Sequence, residues 1–182
     1  MMDIVEPIRN KKEIEQVKLI LKKQRKRDYL LFLIGINVGL RISDILKLKV
    51  DDVKDKDYIV LKEQKTNKRK KIPIVSSFKF DLQDYIKDKN PKEWLFPSRV
   101  GNNPISRIQA YRIIKQACEK VGIKSNIGTH TLRKTFGYHF YKETKDIALL
   151  QYIFNHSSQS ITMKYIGINQ DIVDSRLKMF AL

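Results

Sequence analysis

Hydrophobic residues recur at helical spacing along most of the chain. In residues 13–24 every third or fourth residue is apolar, which predicts an amphipathic helix. Residues 28–37 are apolar on nearly all sides, so we expect the second helix to be buried. Gly39 predicts a break after it, and Ser43 is then expected to cap a short helix.

The pattern changes after Asp51 from helical spacing to that of a hairpin. Residues 58–61 are β-branched, aromatic or aliphatic, residues 65–68 have turn composition, and residues 71–75 predict a return strand. Pro73 cannot donate a ladder hydrogen bond, so we expect it at a sheet edge or at the end of its strand.

Helical patterns then resume and continue to the end of the chain. We predict helices over 76–87, 129–141, 146–154 and 160–166. Between the first two, a long helix is expected to bury one face, made of Ile105, Ile108, Tyr111, Ile114, Cys118 and Val121. A short final helix would have an apolar side made of Ile172, Val173, Leu177 and Phe180. The predicted fold is mostly α, with one small antiparallel β-hairpin.

Charge points to a polyanionic partner. The chain has 37 Lys and Arg against 20 Asp and Glu, a net charge of +17 at pH 7, while 42% of its residues are hydrophobic. That hydrophobic fraction predicts a folded domain with a basic surface rather than a disordered chain. Nucleic acid is favoured over an anionic membrane surface as the partner.

Several classes of protein are excluded or disfavoured by other features. Cys118 is the single cysteine, so an internal disulfide and a cysteine-built metal site are excluded. The first residues lack a signal peptide's apolar core, and the most apolar run, residues 29–40, is shorter than the roughly 20 residues of a membrane span. We therefore expect a soluble cytoplasmic protein with no membrane partner, metal or other cofactor.

Two segments combine residue types that suit phosphate chemistry. His130 and Arg133 lie three positions apart in a helix that Thr129 is expected to cap, where the positive end of the helix dipole favours an anion. His156 precedes a serine-rich helix start, and Tyr165 lies near the end of that helix. Taken singly, each has an alternative interpretation: a solvated pair on a basic surface, or a half-buried helical tyrosine.

A third segment, GLRISDIL, places Arg41 at a sharp turn into a helix, where it could also be an ordinary surface arginine. These residues are distinguished by occurring together in a fixed order along the chain: Arg41, His130 with Arg133, His156 and Tyr165. His139 belongs to none of the three segments, and we assign it a structural role.

The three segments GLRISDIL, HTLRKTF and NHSSQSITMKY resemble the catalytic domain of the tyrosine recombinases, the phage integrase family. Tyr165 follows His156 at the family's usual spacing of nine positions. The resemblance runs from about residue 10 to the C-terminus. The family also carries a catalytic lysine in a hairpin turn, which EQKTNKRKKIPI supplies: Lys65 matches best, and Lys68 is the alternative. Asn155 stands where a glycine is common and is expected to preserve the turn by tolerating positive φ.

The resemblance implies a role for each matching residue. Arg41 and Arg133 would clamp the phosphate with charge-assisted hydrogen bonds, and Tyr165 would be the nucleophile. His130 would take part in proton transfer from the nucleophile, His156 would donate to the phosphate, and Lys65 would protonate the leaving 5′ oxygen. The product would be a 3′-phosphotyrosine. Asp44 falls at an acidic position of the family and would orient Arg41 or His130, although an acid facing the helix dipole explains it equally well.

The resemblance also bears on domains and partners. Family members usually carry a separate DNA-clamping domain, but only forty residues precede Arg41. We therefore expect one catalytic domain over 1–182 without that N-terminal domain, in a natural single-domain protein or a fragment. The partners would be double-stranded DNA, other protomers (monomer alone, tetramer on DNA) and possible DNA-bending proteins. The final helix would dock on a neighbour or pack on its own domain. Candidate DNA contacts are Lys68, Arg69, Lys70, Arg107, Arg112 and Lys134.

The favoured function is a site-specific recombinase, an integrase of a mobile element such as a phage. Two alternatives stay open: a type IB-like topoisomerase that forms the same 3′ link, and a non-catalytic DNA-binding regulator with the same fold. A topoisomerase would relax arbitrary supercoiled DNA, whereas a recombinase would act at paired sites.

Overall fold

The computed structural model describes residues 5–65 and 67–180, apart from the side chains of residues 169–173 and 176. The helices are α1 (Lys11–Gln24), α2 (Lys26–Val38), α3 (Ile42–Ile45), α4 (Ser76–Ile86), α5 (Arg107–Val121), α6 (Thr131–Thr144), α7 (Ile147–Phe154), α8 (Gln159–Ile166) and α9 (Ile168–Met179). Strands β1 (Tyr58–Lys62) and β2 (Arg69–Pro73) form the hairpin, and a short 3₁₀ helix spans Val50–Asp52. The predicted mostly α fold with a small antiparallel sheet is confirmed.

Helix α2 is the centre of the larger core. It packs against α1, α4, α5 and α6, as its apolar composition predicts. Its buried apolar side chains include Leu30, Leu31, Phe32, Leu33 and Ile34. Because α2 is enclosed on several sides, the segments that follow it and contact it are held on a rigid support.

A second, smaller core joins α6, α7 and α8. Phe154, at the end of α7, is fully buried with Leu150 of the same helix and Ile166 of α8. Tyr165 packs partly buried against this cluster. These contacts place α8 against α6, so that the segments containing His130, His156 and Tyr165 are brought together.

The hairpin pairs in the predicted antiparallel sense, with Tyr58 opposite Pro73 and Lys62 opposite Arg69. Its second strand begins two residues earlier than predicted, and Pro73 is its last residue, in agreement with the expectation for a proline. The turn between the strands is therefore short, and it contains Lys65.

The glycine break after α2 is confirmed. Gly39 has a φ of 63°, in the left-handed region that glycine adopts without strain. A Cβ atom there would also lie 2.6 Å from the ring of Phe136, so the backbone approaches α6 more closely than a side chain permits. This approach brings the Gly39 carbonyl to Arg133.

Two predicted helix caps are wrong. Helix α3 begins at Ile42 with Arg41 at its N-cap position, so Ser43 lies inside the helix. Helix α6 begins at Thr131 with His130 at the N-cap position. The Gly128 N–H donates to Thr131 Oγ1 at 2.9 Å and the Thr131 N–H donates to the Gly128 carbonyl, so residues 129–130 form a turn before the helix.

The predicted buried face of α5 is also partly wrong. Ile108 is 63% exposed, whereas Ala110, Ile113 and Ala117 are buried together with the predicted Ile114 and Cys118. Alanines let α5 approach α1 and α2 closely, and the helix is rotated to bury them.

His139 has the structural role that was predicted for it. Its Nε2 lies 2.9 Å from the carbonyl oxygen of Ile8, in the segment before α1. The Ile8 N–H in turn donates to Thr135 Oγ1 at 2.9 Å. These contacts tie the start of the chain to α6.

Near the end of α9 and just after it, the described apolar side chains are exposed. Leu177, Met179 and Phe180 are all solvent-exposed, so the alternative in which they pack on their own domain is wrong for these residues. The side chains of Ile172 and Val173, predicted on the same apolar side, lie outside the described residues. No helix in the described part of the chain has both the length and the apolarity that crossing a membrane requires.

Candidate active site

One pocket of about 340 Å³ is lined by all six residues that the sequence singled out for chemistry. They come from the start of α3, the hairpin turn, the start of α6, the turn after α7 and the end of α8. The six are Arg41, Lys65, His130, Arg133, His156 and Tyr165. Positions scattered over the chain therefore converge on a single concave, strongly cationic site.

Arg133 is the most deeply buried cation of the pocket, with 2% of its surface exposed. Its Nη1 donates to the Gly39 carbonyl at 2.6 Å and its Nη2 to the Phe154 carbonyl at 2.9 Å. The guanidinium also lies 4.3 Å from the centroid of the Phe154 ring. Two carbonyls at helix ends thus fix its plane, and its remaining N–H groups can meet an anion in the pocket.

Arg41 is the second guanidinium of the pocket. It precedes α3, and its Nη1 donates to Glu63 Oε1 at 3.0 Å. Two fixed guanidiniums facing one cavity suit the non-bridging oxygens of a phosphate, because each can form planar, bidentate hydrogen bonds.

Tyr165 directs its hydroxyl at His130, with 3.1 Å between the hydroxyl oxygen and Nδ1. Its ring packs edge-on against Phe154 and His156, with centroids 5.6 Å and 5.1 Å away. Burial raises the pKa of Tyr165, and the charges of Arg133 and Arg41 oppose that rise. The hydroxyl is therefore protonated at neutral pH, and it would need a base in order to act as a nucleophile.

His130 has the properties of that base. Burial lowers its pKa, and the positive charges of Arg133 and Lys134 lower it further. At neutral pH the imidazole is uncharged, so Nδ1 can accept the Tyr165 proton across the 3.1 Å contact.

His156 is oriented by a buried hydroxyl. Burial, followed by the charge of Arg133, lowers its pKa to about 4, so the imidazole is neutral at pH 7. Thr162 Oγ1 donates its one proton to the Ser158 carbonyl at 3.1 Å and lies 3.1 Å from His156 Nδ1. Oγ1 must then accept from Nδ1–H, which leaves Nε2 without a proton. A bound phosphate would raise the pKa of His156 and so favour a proton on Nε2 that can be donated.

Replacing Thr162 with Val is expected to slow the reaction of this site about tenfold, because the variant lacks one hydrogen bond that orients His156. Thr162→Ser should retain nearly the full rate. Single-turnover kinetics measures both, and Thr144→Val, at an exposed threonine of α6, is the matched control. An unchanged rate in Thr162→Val would show that Thr162 does not orient His156.

Of the two candidate lysines, the geometry favours Lys65. Lys65 lines the pocket. Lys68 instead donates from Nζ to Asn155 Oδ1 at 2.9 Å. Asn155 adopts φ 51° at the end of α7, which confirms that it preserves the turn before His156.

Asp44 is buried but does not bond to either of its predicted partners. Its Oδ1 accepts from the Gln64 N–H at 3.1 Å, while its Oδ2 is buried without a hydrogen-bond partner. Asp44 therefore holds the hairpin turn rather than Arg41 or His130.

Two candidate DNA contacts are largely enclosed by neighbouring groups. Lys134 is 9% exposed, with its Nζ 5.0 Å from the centroid of the Tyr165 ring. Lys70 is largely enclosed between Glu63 and the Ile153 carbonyl. Burial lowers the pKa of both lysines. Lys134 is the less accessible of the two, whereas Lys70 lines a groove together with Lys68 and Arg69, and both DNA contacts stay predictions.

The other four candidate DNA contacts are exposed: Lys68, Arg69, Arg107 and Arg112. Lys68 and Arg69 line a groove that also includes Asn155 and His156 and so adjoins the pocket. Arg107 and Arg112 are on α5 and line neither cavity.

Sequence reasoning missed two residues that support the site. Glu63 contacts Arg41, and Thr162 contacts His156. A lone acid within the basic segment EQKTNKRKK was the one available signal for Glu63. Among the described residues, no cluster of three or more His, Cys, Asp or Glu side chains is arranged to hold a metal ion.

Known proteins resemble this chain in sequence. The model of the phage integrase family matches residues 10–171. The probable integrase/recombinase YoeC of Bacillus subtilis is 55% identical over 179 residues, which cover 98% of each chain. A tyrosine recombinase of Pseudothermotoga lettingae is 30% identical over 86% of this chain, and the match spans 54% of that relative.

Solved structures share the fold at low identity. The crystal structure of XerA recombinase aligns with a TM-score of 0.78 and 20% identity, over 98% of this chain and 64% of that one. XerH recombinase bound to its difH substrate aligns with a TM-score of 0.72 and 22% identity, over 90% and 51%. A λ integrase dimer bound to a core site aligns with a TM-score of 0.72 and 16% identity, over 91% of this chain and 49% of that one. With its family model matched over most of its length, the chain belongs to the phage integrase family, the tyrosine recombinases, and has the fold of their catalytic domain.

Proposed function

We propose that this protein is a site-specific DNA recombinase, an integrase that cuts and rejoins DNA strands through a covalent 3′-phosphotyrosine at Tyr165. The observation that carries the proposal is the contact of 3.1 Å between the Tyr165 hydroxyl and His130 Nδ1, inside a pocket with two guanidiniums. The names of the relatives, integrase/recombinase and tyrosine recombinase, support the same activity.

The positions of the side chains support one mechanism of cleavage. Arg41 and Arg133 hold the non-bridging oxygens of the scissile phosphate, where negative charge grows during attack. His130 takes the proton of Tyr165 as the phenolic oxygen forms a bond to phosphorus. The bond from phosphorus to the 5′ oxygen breaks, and Lys65 gives that oxygen a proton. The products are a 3′-phosphotyrosine and a free 5′-hydroxyl.

Rejoining is the same step in reverse with a second strand. A 5′-hydroxyl attacks the phosphotyrosine, loses its proton to Lys65 and displaces Tyr165, which regains a proton from His130. Because the phosphotyrosine is itself a phosphodiester, the backbone is restored with no nucleotide consumed.

DNA and other protomers are the proposed partners. XerH and λ integrase are described bound to their DNA sites, the latter as a dimer. By extension, we propose that this protein binds double-stranded DNA, that it is a monomer in the absence of DNA and that it forms a tetramer on DNA. DNA-bending proteins are possible further partners. Exposed Leu177 and Phe180 suit docking of α9 on a neighbour. The single cysteine suits a cytoplasmic location. One catalytic domain over 1–182 stays a prediction.

Covalent trapping tests the proposed function. The substrate is a pool of nicked duplexes with randomised sequence. Cleavage releases a short strand that bears the new 5′-hydroxyl, and its loss prevents rejoining. We expect a denaturation-resistant adduct at the 3′ side, and sequencing the trapped DNA identifies a preferred site. Plasmids with two such sites should then recombine. Adduct formation without sequence preference, with relaxation of any supercoiled plasmid, would instead support the topoisomerase. Absence of an adduct on bound DNA would support the regulator.

Binding should depend steeply on salt, since exposed basic side chains release counterions from DNA. Arg69→Ala and Arg107→Ala are each expected to weaken binding on all sequences. Each should also reduce the slope of log K against log salt by about 0.9 for every phosphate that the arginine neutralises. Titrations at several salt concentrations measure the slope. Lys22→Ala, at a surface lysine 3.2 Å from Asp81, is the control. An unchanged slope for Arg69→Ala would remove Arg69 from the DNA interface.

A further inference from the structure

A fully buried carboxylate lies behind the pocket. The side chain of Glu63 has 0% exposure, and its Oε1 lies 3.0 Å from Arg41 Nη1 and 3.2 Å from Lys70 Nζ. A buried carboxylate is retained only where cations and hydrogen bonds compensate its charge, and here one of the cations is a proposed phosphate clamp.

The backbone of Glu63 also closes the hairpin turn. Its N–H donates to the Lys68 carbonyl at 3.0 Å, and its carbonyl accepts from the Asn67 N–H at 2.9 Å. Both ends of the loop that contains Lys65 therefore meet at Glu63. The bond from the Gln64 N–H to Asp44 adds a second tie between this loop and α3.

Lys70 extends the connection to a third segment of the site. Besides contacting Glu63, its ammonium donates to the Ile153 carbonyl near the end of α7. His156 follows three positions later. The Glu63 carboxylate and its two cations thus link the segments containing Arg41, Lys65 and His156.

Glu63 also changes the electrostatics of the cations around it. Burial lowers the pKa of Lys70, Glu63 counteracts that shift, and Arg133 and Arg41 add to it. The same carboxylate also favours the charged form of Arg133. Before a phosphate enters, Glu63 therefore compensates part of the repulsion among closely spaced cations.

We infer that Glu63 is a positioning residue, which sets the Lys65 loop relative to Arg41. The inference rests on the proposed function, because it assigns Glu63 to the delivery of the leaving-group proton. It predicts that removal of the carboxylate impairs protonation of the 5′ oxygen more than it impairs DNA binding.

The test compares two suicide duplexes, one with the natural 5′ oxygen and one with sulfur in its place. A thiolate is a much better leaving group than an alkoxide and leaves without a proton donor. Glu63→Gln keeps the shape but removes the charge. We expect it to slow cleavage of the oxygen duplex about 10- to 100-fold and of the sulfur duplex only about threefold. Glu63→Asp should be affected less.

Controls separate the possible outcomes. Glu143→Gln changes an exposed glutamate paired with Lys11 and should match the wild type. The inference would be overturned if Glu63→Gln slowed cleavage of both duplexes equally, or slowed neither. If Glu63→Gln fails to fold, Glu63→Asp decides by the same comparison of duplexes. If the wild type itself forms no adduct, the proposed function fails. If the wild type forms an adduct and Glu63→Gln cleaves at the same rate, only the role of Glu63 is wrong.

Discussion

Replacing Tyr165 with Phe is expected to abolish the covalent protein–DNA adduct completely. The substitution removes the one oxygen that can form the bond to phosphorus, and it keeps the ring that packs against Phe154 and His156. The hydroxyl makes a contact of 3.1 Å with His130, so its removal should change the free energy of unfolding by only about 1 kcal/mol. DNA binding should be nearly unchanged. Suicide-duplex trapping and thermal unfolding measure these effects.

A matched control is available one helix earlier. Tyr152, on α7, is 81% exposed and does not line the pocket with Tyr165. Tyr152→Phe should form adduct at the wild-type rate. Adduct that persists in Tyr165→Phe would mean that another side chain is the nucleophile.

Replacing Arg133 with Lys should reduce the rate of strand cleavage by about 10³-fold. Removal of one preorganised donor from a catalytic site costs roughly 10²- to 10³-fold, and a lysine cannot reproduce a planar, bidentate clamp. The change also leaves one of two buried carbonyls, of Gly39 or Phe154, without its donor. We therefore expect a decrease of about 1–3 kcal/mol in the free energy of unfolding as well.

The catalytic and structural parts of that effect can be separated. Single-turnover cleavage should be measured well below the melting temperature of the variant, with DNA binding measured in parallel. Arg99→Lys, at an exposed arginine between α4 and α5, provides the matched control and should behave as wild type. A folded, DNA-binding Arg133→Lys variant that cleaves within about tenfold of wild type would contradict the clamp role.

The sequence predicted the members of the site better than their surroundings. Arg41, His130, Arg133, His156 and Tyr165 were identifiable because their residue types suit phosphoryl transfer and because their segments, in order, resemble those of the tyrosine recombinases. Their convergence in one pocket agrees with that prediction.

What the sequence could not predict depends on tertiary packing. In the sequence Lys70 and Lys134 look like surface lysines, yet Lys70 pairs with the buried Glu63 and Lys134 packs against the ring of Tyr165. Local patterns do not encode such long-range partners. The buried face of α5 was rotated for a similar reason, since small Ala110 and Ala117 permit a closer approach than Ile108 would.

The most direct test of the account identifies the residue bonded to DNA. The trapped adduct is digested with nuclease and trypsin and the nucleotide-bearing peptide is sequenced by mass spectrometry. Cleavage after Lys164 yields a peptide over 165–176 in which Tyr165 is the only tyrosine. We expect the nucleotide phosphate on that tyrosine. Attachment to any other residue, or an adduct carried through a 5′ phosphate, would contradict the account.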